Sequence, residues 1–413
     1  MTEQILTVKV RLKPTNKQAE QFDAVSEFYR QACNIVSAWY FDKHFAVARK
    51  DFNKDMYYLL KNRYPKLNTA MIQSTYRTVK ARYDTVKTQL VKKPYRIWSG
   101  KYDDNKRKRY LSIKRDLEWL QKPIMFHRPQ ADYLRNINYS FTRKYSQISL
   151  NVLGKRIKVD YCHNFNNLLF ASNSSLGTAK LVNACGHWFL HIPVAFDVTK
   201  LNNSQINHVV GIDRGLRFIA TCYDEKGKTL FVNGKKVLET RRKYKKLRAE
   251  LQAKGTKSAK KRLKKIGQRE NRWMTDVNHQ LSKTLVNRYG ANTLFVLENL
   301  VNVRFATEKV AKTKRYEQVS WAFYQLGQFL TYKAHLAGSE VVQVSAKYTS
   351  QRCPKCGRIW KDNRNHQEHL YICDRCGYKS NDDRIGAMNI QLLGTQYISG
   401  NERPSFSKLT TNE

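Results

Sequence analysis

Acidic residues are scarce in this chain: 33 Asp and Glu face 76 Lys and Arg across 413 residues, a formal net charge of +43. A surplus of that size repels itself unless a polyanion lies close by, so nucleic acid is the first partner to expect and an anionic membrane the second. Long apolar runs are missing as well. None approaches the ~18 to 20 residues that cross a bilayer, and stretch 1–11 has no charged-then-apolar leader, so neither secretion nor membrane insertion is expected and the location should be cytosolic. Cysteines are few, and Cys33, Cys162, Cys185 and Cys222 stand singly in apolar or mixed stretches, which excludes a disulfide framework and predicts inert core thiols. Apolar side chains, by contrast, are plentiful. At 41% hydrophobic and 12% aromatic the chain can bury real cores, which excludes a disordered basic tail. At ~100 to 200 residues per domain, its length allows two to four compact units.

Alternation over 5–12 predicts a strand that stops at Pro14. Thr15 with Gln18 three residues on forms a capping box, and Phe22, Val25, Tyr29, Ala32, Val36 and Trp39 then recur at helical spacing as a packing seam. Basic, helical-type sequence runs on to about Leu120, including Lys92-Lys93 and Lys106-Arg-Lys-Arg109 on either side of Gly100. Short β-type runs broken by Gly and Asn follow over 134–210. These patterns place a helical lobe at 15–120 within a β-rich unit made of 1–14 and 121–208. Beyond it, strands at 209–213 and 217–223, helices at 277–289 and 320–338 and a buried-type strand at 293–297 give the alternation of a mixed α/β domain. Between Arg241 and Arg272 fifteen Lys or Arg meet two Glu. With so few acids to form i,i+4 pairs, this long helix, interrupted at Gly255, reads as a phosphate-binding element.

Cys353-Pro-Lys-Cys356 and Cys373-Asp-Arg-Cys376 lie sixteen residues apart, each followed at once by a glycine, Gly357 or Gly377. Two such knuckles bring four thiolates to tetrahedral reach, and the glycines permit the tight turns, so the spacing predicts one structural Zn²⁺ with no open coordination position. His366 and His369 in the intervening loop are read as surface residues.

Three carboxylates stand at element ends. Asp213 closes the apolar strand Val209-Val-Gly-Ile-Asp213, Glu298 closes Thr293-Leu-Phe-Val-Leu-Glu298, and Asp383 precedes the helical-type Arg384-Ile-Gly-Ala-Met-Asn-Ile390. Hard oxygen ligands converging from separate elements are what two divalent metals need to cleave a phosphodiester. Asp382 rivals Asp383 for the third place.

Four segments carry a resemblance: Gly211-Ile-Asp-Arg-Gly-Leu216, Val296-Leu-Glu-Asn-Leu300, Tyr348-Thr-Ser-Gln-Arg-Cys-Pro-Lys-Cys-Gly357 and Asn381-Asp-Asp-Arg-Ile-Gly-Ala-Met-Asn-Ile390. With Ser320-Trp321 through Tyr332-Lys-Ala334 and the opening strand running into Pro14-Thr15, they resemble the RuvC-like nuclease of the transposon-encoded TnpB family and of the compact type V CRISPR effectors related to it. The likeness is strongest over 209–393 and weak across 40–130. It implies an α/β multidomain protein with an RNase H-like (RuvC) nuclease domain at 209–347 and 378–395 and a zinc ribbon inserted at 348–377. A wedge-like, β-barrel-like unit at 1–14 and 121–208 would carry the helical recognition lobe at 15–120, and 396–413 would be a flexible tail. Asp213, Glu298 and Asp383 would hold two catalytic Mg²⁺ ions, while Cys353, Cys356, Cys373 and Cys376 would hold zinc. The implied activity is RNA-guided cleavage of double-stranded DNA beside a short flanking motif, with guide RNA from its own locus and target DNA as partners. The third motif reads Ile385-Gly386-Ala387 where the family commonly has Asn-Ala-Ala, while the phasing of Ala387-x-Asn389-Ile390 favours Asp383 over Asp382. A compact CRISPR effector, a guide-dependent repressor without cleavage and a transposase acting on its own element's ends are the alternatives, the intact acids disfavouring the second and the lack of a recognisable His-hydrophobe-His with a Tyr nucleophile disfavouring the third.

Overall fold

A computed structural model describes residues 2–102, 108–128, 130–142, 146–162, 173–300, 323–365 and 367–407. His366, Ser320-Trp321 and part of the basic turn after Gly100 lie outside these. The chain divides into two compact units, Glu3–Asp197 and Val198–Glu413, the latter including Met1–Thr2.

The first unit opens with β1 (Thr2–Lys13), which ends before Pro14. The Thr15 hydroxyl accepts the Gln18 amide and the Gln18 side chain accepts the Thr15 amide, starting α1 (Asn16–Asp42), whose predicted seam is buried. That seam packs on α2 (Thr69–Lys92), and Tyr29 hydrogen-bonds Ser74 and Thr78 across the interface at 2.9 and 3.0 Å. Helix does not continue to Leu120. It stops at Lys92, because Pro94 cannot donate into a further turn. Sequence rich in aromatic and β-branched residues then pairs as the hairpin β2 (Tyr95–Tyr102) and β3 (Lys108–Ile113). Seven further strands, β4 (Ala131–Tyr133), β5 (Tyr139–Phe141), β6 (Gln147–Val152), β7 (Lys155–Tyr161), β8 (Ser174–Leu176), β9 (Ala179–Ala184) and β10 (His187–Val198), join β1 in one sheet of order β4-β9-β10-β1-β7-β6-β5, with β8 on β10. Helices and sheet share one apolar core. Cys33 lies inside it, whereas Cys185 is exposed in the β9–β10 turn, where it and Gly186 take positive φ, so that thiol is not a core residue.

The second unit is built on β11 (His208–Asp213), β12 (Phe218–Tyr223) and β13 (Thr229–Asn233), an antiparallel meander. The basic segment then forms α3 (Lys235–Lys254) and α4 (Lys257–Ile266), broken at Gly255, which takes a φ of +61°. These two helices enclose their own small core of Leu251, Ala259 and Ile266, and buried Glu270 pairs with Arg241 and Arg248. Next come α5 (Arg269–Tyr289), β14 (Thr293–Glu298), α6 (Phe323–Leu336) and β15 (Glu340–Val344), with β14 parallel to both β11 and β15. After a cysteine ribbon with strands β16 (Arg364–Asn365), β17 (Leu370–Ile372) and β18 (Lys379–Asn381), α7 (Asp382–Ile398) closes the fold.

Alternate residues of the central strands feed opposite cores, as buried strands with helices on both faces require. Val210, Ile212, Phe295 and Leu297 meet Leu281, Leu285, Leu326 and Leu330 of α5 and α6. On the other face, Val209, Leu294 and Val296 meet Ile390 and Leu393 of α7. Glycine lets α7 lie this close: a Cβ at Gly211 would stand 2.3 Å from the Ala387 carbonyl and the Gln391 amide. The polar tail is not loose throughout, since Phe406 is buried in this second core and the Arg352 guanidinium lies 4.7 Å from its ring.

Candidate active site

Register brings the first two acids together. Ile212 of β11 lies opposite Leu297 of β14, so the next residues, Asp213 and Glu298, leave the sheet at the same carboxyl end of adjacent parallel strands. Side chains at such strand ends gather in the crevice where the chain turns away. The first turn of α7 enters from the other side: Asn381 caps it, accepting the amides of Asp383 and Arg384 at 3.1 Å each. One turn later Gly386 abuts Asp213, whose Oδ2 would lie only 2.9 Å from a Cβ built there.

Like charges in a dry setting dominate the electrostatics. Burial, then the charges of Glu298 and Asp383, push the Asp213 carboxyl well above the usual range, with Arg364 and Arg214 opposing the rise. Glu298 is raised by burial and held back by Thr349, Arg214 and Arg364. Asp383 is raised by burial and by the charge of Asp382. Each shift says that the anionic form lacks compensation within the protein, which is the condition a divalent cation relieves. Arg364 supplies part of the compensation, with Nε 2.9 Å from Asp382 and Nη2 3.5 Å from Asp383. Arg364 thus bridges the two carboxylates, lying nearer to Asp382, and of the two it is the charge of Asp383 that bears on Asp213.

Hydrogen bonds hold the backbone around the acids. The Arg214 guanidinium donates to the carbonyls of Glu298 and Phe323. The Thr349 hydroxyl donates to the Glu298 carboxylate. Buried Asn389 on α7 donates to the carbonyls of Thr349 and Arg352 at 2.8 and 2.7 Å, tying the approach to the first cysteine knuckle onto the helix that carries Asp383.

Among the described residues, two groups of His, Cys, Asp or Glu side chains place ligand atoms within 4.8 Å of one another. The first is Cys353, Cys356, Cys373 and Cys376. Sulfur–sulfur distances of 3.6 Å (Cys353–Cys376) and 3.5 Å (Cys356–Cys373) approach the roughly 3.8 Å edge of a tetrahedron around a metal held by four thiolates. Gly357 and Gly377 take positive φ and return their amides to the Cys353 and Cys373 carbonyls, closing both knuckles. The second group is His369, Asp382 and Asp383. Asp213, Glu298 and Asp383 are not gathered that tightly; they share one electrostatic pocket with oxygens spread wider than a single ion's first sphere.

His369 is not a plain surface residue. It is half-buried with Nδ1 3.4 Å from Asp382, because β17 pairs with β18 and the Asp382 amide bonds the His369 carbonyl. Sequence reasoning also gave no role to Arg364, Arg214, Thr349 or Asn389. Three of these stand inside the quoted motifs, so their positions were visible, whereas nothing marked Arg364 in the ribbon loop.

Residues 191–304 match the OrfB_IS605 family model, described as "Probable transposase", and residues 323–390 match the Cas12f1-like TNB domain. The chain is thus similar to TnpB-like and Cas12f1 proteins. The CRISPR-associated endodeoxyribonuclease Cas12f1 of Sulfoacidibacillus thermotolerans is 28% identical over 220 residues, 50% of this chain and 50% of its own length. A TnpB-like protein of Methanocaldococcus jannaschii is 29% identical over 198 residues, 46% of this chain and 70% of that protein. InsQ of Escherichia coli, named as a candidate RNA-guided DNA endonuclease, is 26% identical over 234 residues, 53% of this chain and 57% of its own. The matched region thus spans about half the length of the Cas12f1 relative. The two family models between them cover the ends of β11 and β14 and the first turns of α7, the elements that carry the acids.

Proposed function

We propose that this protein is an RNA-guided DNA endonuclease of the TnpB type, cutting guide-matched double-stranded DNA beside a short flanking motif. One observation carries the reading: Asp213 and Glu298 end adjacent parallel strands, and the charges of Glu298 and of Asp383 at the start of α7 both bear on buried Asp213, whose anion is short of compensation. The β13-β12-β11-β14-β15 sheet with helices on both faces is read as an RNase H-like (RuvC) domain, the cysteine ribbon as its zinc-bearing insertion, and the first unit as the β-barrel-like wedge with its recognition lobe.

Asp213, Glu298 and Asp383 would hold two Mg²⁺ ions, and Cys353, Cys356, Cys373 and Cys376 one Zn²⁺. The magnesium ions would supply a nucleophilic water at neutral pH and Lewis acidity at the leaving oxygen. Thr349 orients the Glu298 carboxylate, Arg214 fixes the strand end behind it, and Asn389 keeps ribbon and helix in register. Exposed lysines and arginines of α3 and α4 suit the phosphates of a bound guide, which would also answer the +43 charge. Base pairing would choose the sequence, leaving the protein a short duplex motif to read. The names of Cas12f1 and InsQ support the same activity here, and a compact CRISPR effector is the second reading because Cas12f1 matches as well as the TnpB-like protein does.

The test is purification of the full chain with its co-purifying RNA, sequencing of that RNA, and incubation with matching duplex DNA. Cleavage should require Mg²⁺ or Mn²⁺ and disappear in Asp213→Asn, Glu298→Gln and Asp383→Asn. Full cleavage by Asp213→Asn ends the assignment.

A further inference from the structure

The β2–β3 hairpin belongs to the first unit, and its surface carries an unusual set of side chains. Tyr95, Ile97, Trp98, Tyr102, Tyr110, Leu111 and Ile113 are all large, and all are exposed. Large apolar side chains left exposed in such number on one short hairpin mark an interaction site. Side chains alternate along a strand, so register sorts them into two faces. Tyr95 pairs with Ile113 and Ile97 with Leu111, giving one largely aliphatic face; Arg96 pairs with Ser112 and Trp98 with Tyr110 on the other. On this second face the Tyr102 ring meets Trp98 edge-on with centroids 6.2 Å apart, and Lys108 Nζ lies 5.2 Å from the Trp98 centroid. The three rings remain 47%, 56% and 53% exposed for Trp98, Tyr102 and Tyr110. Lys92, Lys93, Lys114 and Arg115 flank the base of the ribbon.

We infer that the Trp98–Tyr102–Tyr110 face, with Arg96 and Lys108, is a stacking platform for unpaired nucleotides of the bound RNA. Rings interleaved with cations match a base and its phosphate together, and the surrounding positive charge matches a polyanion rather than a protein or an acyl chain. The bases must be unpaired, because a duplex already covers their faces. RNA fits better than DNA: exposed rings need cover for as long as the protein is in solution, and a bound guide is always there, whereas an opened DNA strand exists only during targeting. The inference rests on the RNA-guided reading above and adds where unpaired RNA is held.

The experiment compares the full-length protein with its Trp98→Ala/Tyr110→Ala and Trp98→Phe/Tyr110→Phe forms, freed of RNA by high salt. Fluorescence anisotropy would follow a single-stranded RNA oligonucleotide, DNA of the same sequence and an RNA duplex, each at several salt concentrations. The alanine form should bind single-stranded RNA roughly tenfold more weakly for each ring removed, with an unchanged slope against log salt because no ionic contact is lost. The phenylalanine form should keep its affinity, duplex binding should not change, and melting temperature should hold because both rings are exposed. Unchanged affinity for single-stranded RNA overturns the inference, as does a loss confined to DNA. So does a change in oligomeric state by sedimentation without a change in RNA binding, which would put a second copy of the chain on this face. If ring-dependent RNA binding stands but the wild-type protein cuts no DNA, the nuclease reading fails alone; if guided cleavage stands with RNA affinity intact in the alanine form, this inference fails alone.

Discussion

The hydroxyl of Thr349 donates to the carboxylate of Glu298, so the segment leading into the cysteine ribbon touches the acidic pocket directly. Asn389 holds the same threonine by its carbonyl, and Asn389 sits on the helix that begins with Asp382 and Asp383. One side chain of the ribbon approach is therefore fixed from α7 and in turn fixes the acid at the end of β14.

Thr349→Val should show what that contact does. The hydroxyl favours the anion of Glu298, so its loss raises the Glu298 pKa further. The acidic limb of the cleavage pH profile should then move to higher pH, and the Mg²⁺ concentration for half-maximal rate should rise by up to roughly tenfold, the scale of one hydrogen bond to a charged group. Thr349→Ser should restore both. An unmoved pH profile in the valine form would show that the contact is only structural.

Stability of the metal-free protein should run opposite to activity. Asp213, Glu298 and Asp383 all have raised pKa values in the folded chain. Their protonated forms contribute stability that is fully present below the ordinary carboxylate range and is lost as pH rises through the folded-state values. At neutral pH Asp213→Asn removes that penalty, so with metal chelated its Tm should exceed that of the parent by about 2 to 4 °C for each ~1 kcal/mol recovered, while cleavage disappears. At pH 3 the two proteins should melt alike. Scanning calorimetry at both pH values decides it.

The cysteine site should be tightly coupled to pH. Burial pushes the Cys353 thiol up to about 12, so without metal it carries a proton that an incoming ion must expel. Zinc affinity, read by competition with a chromophoric chelator, should tighten up to tenfold per pH unit for each proton released. Stripping the ion should also lower cleavage at saturating Mg²⁺, because the Thr349 approach loses its anchor. Cleavage that survives complete stripping would separate the ribbon from the pocket.

Much of this arrangement was legible in the sequence because it follows from local chemistry. The Thr15 capping box, the knuckle spacing of Cys353 to Cys376 and the apolar strands ending in Asp213 and Glu298 each depend on a few adjacent residues. What escaped depends on contacts between distant segments. Arg364 joins the acids only because β16 and β17 fold back beside α7, and Phe406 anchors a polar tail through packing that no periodicity announces. Residues 93–120 depart from the helical expectation for a different reason: Pro94 ends the helix, and the aromatic and β-branched residues after it prefer a strand.

Three glycines along the α7 contact should respond differently to the same change. Gly→Ala within a helix gains roughly 0.5 to 1 kcal/mol if there is room. At Gly386 the obstacle is the Asp213 carboxylate, 2.9 Å from the new methyl at Oδ2, and a carboxylate can rotate aside. Gly386→Ala should therefore melt no lower than the parent while its cleavage rate changes, because Asp213 has been displaced. At Gly394 the obstacles are Val296 Cγ2 at 2.3 Å and Val209 Cγ1 at 2.9 Å, buried side chains that can yield only partly, for a cost of about 1 to 3 kcal/mol. At Gly211 the obstacles are main-chain atoms of α7 at 2.3 Å, so the helix itself must move and the cost should be about 3 kcal/mol or more. Thermal melts of the three variants should rank 386 above 394 above 211. A Gly386→Ala protein as unstable as Gly211→Ala would mean that Asp213 is held rigidly against the helix and has no freedom to adjust to the groups it binds.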